Sequence, residues 1–227
     1  MRALTIFFLS LFSLPLMLNA QSVDEMLQKV SAAIEAGQNG QAVSYFRQTI
    51  SLNMDRTEMY YWTSVDKNSE ISSKLAVELA LAYKKQRNFD KAYLFYKELL
   101  QKSPNDVDYL EACAEMQVCR GQEKDALRMY EKILQLEPEN LAANIFLGNY
   151  YYLMAEREKK QLDTDYKKIS SPTKMQYARY RDGLSKVFSS GYQKARDSLQ
   201  KVILRFPSTE AQKTLDKILR IEKEVSR

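Results

Sequence analysis

Four pairs of residues in this chain stand the same distance apart. Ala92 and Ala126, Tyr96 and Tyr130, Pro104 and Pro138, and Ala114 and Gly148 are each separated by 34 residues. A repeat of that length is one supersecondary unit, too small to bury its own apolar face and stable only when stacked on copies of itself. The units are helical. Only six Gly and five Pro are spread through 227 residues, and the stretches between them are rich in Ala, Leu, Lys, Glu, Gln and Tyr, residues that favour helix. Strand-type alternation is nowhere sustained. With 45% apolar and 28% charged residues, the chain can bury a core.

The first clear copy, Ser73 to Asp106, carries Ala76, Leu79, Ala80 and Tyr83, a turn at Arg87-Asn88, then Ala92, Tyr96 and Pro104. The next, Val107 to Asn140, carries Leu110, Cys113, Ala114 and Gln117, a turn at Arg120-Gly121, then Ala126, Tyr130 and Pro138. A third leading helix has Asn144, Leu147, Gly148 and Tyr151. In this pattern the chain resembles the tetratricopeptide-repeat family, departing from it at Cys113 and Gln117. The small residues Ala80, Ala114 and Gly148 let the paired helix approach, and Ala92, Ala126 and Ala195 answer from the other side. Each proline ends a second helix. The resemblance implies an all-α fold: a right-handed superhelical array of helix hairpins, with an extended hairpin in the third clear repeat and a C-terminal capping helix.

The expected organisation follows. Residues 21–54 form a degenerate helix pair, with Val23 to Ala36 and Gln41 to Ser51 as helices joined at Gly37 to Gly40. Residues 55–72 connect, and Met59, Tyr60, Tyr61 and Trp62 make this segment too apolar for a free linker, so it should pack against the first two units as a short helix or turn. Repeats occupy 73–106, 107–140 and 141–207, and 208–227 close the array. In the third repeat Ala195, Leu199 and Pro207 arrive 69 residues after Ala126, Tyr130 and Pro138, so about 35 residues are added. They could form a further degenerate repeat ending near Pro172. The preferred reading is a long hairpin, because nothing from Leu141 to Ile169 breaks a helix, and roughly 29 residues would run about 44 Å. Thr173 would cap the return, which presents Met175, Tyr177, Tyr180, Leu184, Val187 and Phe188. In the closing helix, Leu215, Ile218 and Leu219 should face inward.

Residues 1–20 read as a secretory signal, with Arg2 before an apolar run from Ala3 to Leu18 and a cleavage point near Asn19-Ala20-Gln21. The run is shorter than the roughly 20 residues of a spanning helix, and Pro15 interrupts it, so no stable membrane span is expected after cleavage. An exported protein, periplasmic or extracellular, is the expectation. Acidic and basic residues are intermixed and the net charge is only +5, which gives nucleic acid little to bind. Cys113 and Cys119 fall about 9 Å apart along one helix and cannot pair; Cys113 should be buried and Cys119 partly exposed.

Chemistry is limited by what is missing. The chain has no histidine, which removes Ser-His-Asp and Cys-His nucleophiles and imidazole metal ligands. No cofactor or metal is expected, nor catalysis. Asp106, Asp108, Glu111 and Glu115 read as a solvated helix face. The resemblance instead implies a non-catalytic scaffold that binds an unidentified protein or peptide of the cell envelope, because in this family the first helix of each repeat lines the concave face. It nominates Lys74, Leu81 and Lys85, then Asp108, Glu111 and Glu115, then Ile145, Asn149 and Tyr152. A partner's C-terminal carboxylate is not the expected ligand, since Val77, Leu81, Ala112, Ala142 and Phe146 occupy the clamp positions. A second candidate surface is the added hairpin, where Tyr166, Tyr177, Arg179, Tyr180 and Arg181 interleave aromatic and basic groups with Lys167, Lys168 and Lys174. That surface would be the route to the alternative, a polymer-binding or enzymatic module.

Overall fold

The computed structural model describes residues 22–226, so the expected signal segment lies outside the described residues. Among the described residues all regular structure is helical. The chain divides into two compact units, Met1–Glu78 and Leu79–Arg227.

In the first unit, α1 (Val23–Glu35) starts on a capping box in which the Ser22 side chain accepts from the Glu25 amide and Glu25 reaches back to the Ser22 amide. It pairs with α2 (Asn39–Leu52), burying Met26, Leu27, Val30 and Ala33 against Ala42 and Phe46. Asn53 ends α2 and at once caps α3 (Met54–Ser64) through its side chain. The segment expected to be a connection therefore contains a three-turn helix with Thr57 and Tyr61 fully buried. The next helix, α4 (Glu70–Lys85), starts three residues before Ser73, and the boundary between the units falls within it.

The second unit continues with α5 (Phe89–Lys102), α6 (Val107–Cys119), α7 (Glu123–Leu136), α8 (Leu141–Lys167), α9 (Lys174–Val187), α10 (Gln193–Arg205) and α11 (Thr209–Val225). A single structure closes the three short hairpin turns α1–α2, α4–α5 and α6–α7. At Gly37, Arg87 and Gly121, φ is +70°, +60° and +73°, and the following amide bonds back to the carbonyl five residues earlier, Gln38 to Ala33, Asn88 to Tyr83 and Gln122 to Gln117. This is the left-handed helix stop that glycine makes without strain; Arg87 makes it with a side chain in place.

The third repeat is the long hairpin. Helix α8 runs 27 residues, about 40 Å, and Thr173 caps α9 in a second capping box, with Gln176. Helices α9 and α10 form one continuous return through a π-helical turn at Phe188–Tyr192. Glycines fit the two long helices together: a Cβ on Gly148 would lie 2.8 Å from Leu199 Cδ2, and one on Gly183 3.1 Å from Leu162 Cδ2. The core of this unit joins Leu110, Tyr130, Ile133, Leu147, Tyr151, Tyr192, Leu199, Val202 and Ile218. It stops at Ala155 on α8 and resumes at Leu184 on α9; no residue from 156 to 183 is buried. Beyond Ala155, α8 runs a further 12 residues, about 18 Å, with Leu162 still packed against the core.

Helix α11 caps the array, started by Ser208. Leu215 and Ile218 face inward, but Leu219 is exposed, which corrects the sequence expectation; Ile221, a turn beyond Ile218, packs against the core instead.

Candidate protein-binding surface

Helices α6 and α8 and the last turns of α4 carry most of the nominated residues in the second unit. On α6, Asp108 is exposed, Glu111 accepts from Asn140 Nδ2 at 3.4 Å, and Glu115 is ion-paired with Lys84 Nζ at 2.6 Å. The cation that answers α6 is therefore Lys84, while Lys85 is exposed and without an ion pair among the described residues. Leu81 is 49% exposed. Lys74 lies in the first unit and is paired with Glu70 at 2.7 Å, a helical i,i+4 contact of small energetic value.

On α8, Ile145 (41% exposed) and Asn149 face solvent. Tyr152 does not join them: its ring meets Tyr192 edge-on at 6.1 Å and packs on the core. Two residues not nominated, Phe146 and Tyr150, are partly buried against the same core. Phe146 stacks on Tyr130 at 4.4 Å and Tyr150 on Phe146 at 5.8 Å, a half-exposed aromatic ladder running along α8 from a base on α7. Phe146 was visible in the sequence as a clamp-position residue, but its stacking partner on α7 was not.

Tyrosines 34 residues apart line the floor beside the α6 carboxylates. Burial pushes the Tyr130 phenol up to about 12, with Glu111 and Glu115 adding to it. Burial, then Glu115, raises Tyr96 likewise. Both stay protonated at neutral pH, and neither hydroxyl has a hydrogen-bond partner among the described residues. The surface offers a row of carboxylates beside the partly exposed rings of Phe146 and Tyr150, with the buried Tyr96 and Tyr130 beneath, which suits a peptide with mixed apolar and polar groups. It holds no nucleophile and base in contact.

The hairpin surface is largely used internally. Tyr166 and Tyr180 stack at 4.3 Å, and the Tyr180 hydroxyl donates to Asp163 at 2.7 Å. Arg181 donates to the last carbonyls of α11, Glu224 at 2.9 Å and Val225 at 2.7 Å. These three residues hold the hairpin together and tie its base to the capping helix, as a cation at a helix C-terminus does. Tyr177, 52% exposed, and Arg179 remain free to meet a partner.

The first unit has a cleft of its own, about 470 Å³, between α1 (Asp24, Leu27, Gln28, Ser31) and α3 (Arg56, Met59, Tyr60, Thr63, Ser64). The Ser31 and Tyr60 hydroxyls meet at 2.8 Å, and Arg56 donates to Asp24 at 3.1 Å. The sequence led only to a short helix or turn packed nearby, not to a cleft between α3 and α1. Among the described residues no group of three or more Cys, Asp or Glu could hold a metal, and no helix is long and apolar enough to cross a membrane.

Comparison with known proteins agrees with this architecture. A tetratricopeptide-repeat family model matches residues 77–106. The crystal structure of a candidate protein-binding protein from Bacteroides ovatus is 89% identical, with a TM-score of 0.83 over 90% of this chain and all of that one. A tetratricopeptide-repeat protein from Parabacteroides merdae is 16% identical, with a TM-score of 0.40 over 89% of this chain and 74% of that one. A TPR-repeat protein from Bacteroides fragilis is 11% identical, with a TM-score of 0.39 over 88% and 99%. These last two are too distant to inform the site. No curated protein matches the chain. The 34-residue period, the hairpins it builds, the family-model match and the likeness to the Bacteroides ovatus protein place the chain in the tetratricopeptide-repeat family.

Proposed function

We propose that this chain is a non-catalytic scaffold of the cell envelope that binds a peptide or helix of a partner protein along the α6–α8 face. The observation that carries the reading is the pair of partly exposed rings Phe146 and Tyr150, stacked on the buried Tyr130 beside the carboxylates of α6. Aromatic side chains that stay partly exposed on a rigid scaffold give large contact area at small entropic cost. The Bacteroides ovatus relative, described as protein-binding, supports the same class of function. The envelope part of this reading is supported only by the apolar, signal-like segment at residues 1–20, which would put the partner in the periplasm or outside the cell.

A reading as an enzyme finds no support in the site. The chain lacks histidine, and the carboxylates of α6 are bound by Lys84 and Asn140 or are exposed rather than set against a nucleophile. Isothermal titration of the full chain with a captured partner tests the proposal. Phe146→Ala should weaken binding by about tenfold, the usual cost of truncating an aromatic anchor. Undiminished binding by that variant, or a ligand that is only polysaccharide or nucleic acid, would contradict it.

A further inference from the structure

The exposed face of α8 does not end where the repeat ends. Ile145, Asn149, Leu153, Arg157, Lys160, Thr164 and Lys167 follow one another at steps of three and four, which keeps them on one side of a helix. The stripe is about 33 Å long and changes character midway. Its first half is apolar, with Ile145 41% and Leu153 53% exposed. The second half is basic, and it lies along a shallow concavity of about 500 Å³ lined by Leu153, Glu156, Arg157, Lys159, Lys160, Asp163, Thr164 and Lys167.

The carboxylates in that concavity already have partners. Glu156 accepts from the buried Tyr192 hydroxyl, and Asp163 from Tyr180 and Lys159. Arg157, Lys160 and Lys167 make no ion pair among the described residues. The imbalance is regional: from 156 to 186 there are nine Lys and Arg against five Asp and Glu, a surplus of +4 in a chain whose whole charge is +5. The helix carrying this charge is held by hydrogen bonds from Tyr192 and Tyr180 of the return, which is itself tied to the end of α11 by Arg181. It is therefore organised before any partner arrives.

We propose that the whole stripe from Ile145 to Lys167 is one seat for a single partner segment, apolar where it crosses the repeat and acidic where it lies on the hairpin. The inference rests on the α6–α8 face being the binding surface and names the chemistry of its ligand. Insertion of the hairpin extends the repeat's face and adds a charge requirement that the repeat alone lacks. The Ile145–Leu153 half supplies contact area. The Arg157–Lys167 half selects Asp- and Glu-bearing partners and speeds encounter with them.

The test uses the full chain and three synthetic peptides: a Leu/Phe block joined to an Asp/Glu block, the same peptide with Asn/Gln replacing the acids, and the acidic block alone. The joined acidic peptide should bind most tightly. The triple variant Arg157→Glu, Lys160→Glu, Lys167→Glu should weaken it about tenfold or more at low ionic strength, less at high salt, and leave the Asn/Gln peptide unchanged. Leu153→Ser should weaken both block peptides. All four substituted residues are exposed apart from any core contact, so thermal unfolding should match the parent protein. The inference is overturned if the triple variant binds the acidic peptide as the parent does, or if the acidic block alone, or heparin, binds as tightly as the joined peptide. Retained binding of the Asn/Gln peptide in those cases leaves the α6–α8 reading standing; failure of both block peptides removes both.

Discussion

Gly191 and Ala155 meet so closely that a Cβ on Gly191 would lie 2.6 Å from that of Ala155 and 3.3 Å from the Tyr151 carbonyl. The contact sits in the π-helical turn where the inserted hairpin rejoins the repeat. An extra residue in the turn lets the return helix keep Leu184 and Val187 before it, and Ala195 and Leu199 after it, on the buried side.

Gly191→Ala should therefore destabilise the protein by about 2 kcal/mol, because the methyl would meet a Cβ and a backbone carbonyl that cannot rotate away. Gly148→Ala meets the Leu199 side chain at Cδ2 and Cγ but no backbone atom closer than 3.6 Å, and better helix propensity offsets part of that clash, so it should cost less than Gly191→Ala, about 1 kcal/mol. Urea midpoints of the two variants decide the order; equal costs would refute the role of the turn.

Arg87 is the one described residue other than glycine with positive φ, at the turn where the other two hairpins use Gly37 and Gly121. Arg87→Gly should raise stability by about 0.5–1 kcal/mol by removing the strain of a Cβ in that conformation. Gly121→Ala should lower it by about 1 kcal/mol. A loss of stability in the first variant would show that the Arg87 side chain matters more than its backbone.

The two thiols should behave differently. Cys113 is fully buried, and burial pushes its thiol up to about 12. Cys119 is exposed on the last turn of α6. A thiol reagent added to the native protein should modify Cys119 at once and Cys113 only on unfolding. Native labelling of Cys113, followed by mass spectrometry of the α6 peptide, would contradict the packing of that helix.

Stability should fall in alkali. Burial and the Glu156 hydrogen bond raise the Tyr192 phenol far above its ordinary value, and burial with Asp163 pushes Tyr180 up to about 12. A raised folded value means the folded state holds these protons longer than the unfolded chain does. The contribution is thus complete below about pH 10, the unfolded value, and is lost as pH climbs from there toward 12. Melting temperatures across that range should drop less steeply for Tyr192→Phe, even though the variant starts less stable. Parallel curves would show that Tyr192 does not titrate with folding.

The repeats were legible because their determinants are local and periodic. Small residues at Ala80, Ala114 and Gly148 and the prolines at 104 and 138 recur at a fixed spacing, and Thr173 with Gln176 announces the start of α9. Helix α3 was legible only as a short helix or turn, because a single residue, Asn53, both ends one helix and starts the next, leaving no turn between them. The site was partly legible for a similar reason. Helical spacing put Ile145 and Asn149 on the open side of α8, but whether Tyr152 or Phe146 stays in reach depends on rings from elsewhere, Tyr192 and Tyr130. Such long-range choices leave no mark on local sequence. The same holds for Tyr166, Tyr180 and Arg181, which looked like a binding surface until Asp163 and the end of α11 met them.

Site-specific photo-crosslinking in the native cells, with the photoreactive residue at Asn149 on α8 and in parallel at the exposed Arg128 on α7, tests the binding surface most directly. The account predicts a discrete protein adduct at Asn149 and none at Arg128. Adducts at Arg128 alone, or capture of glycan or nucleic acid without protein at Asn149, would contradict it.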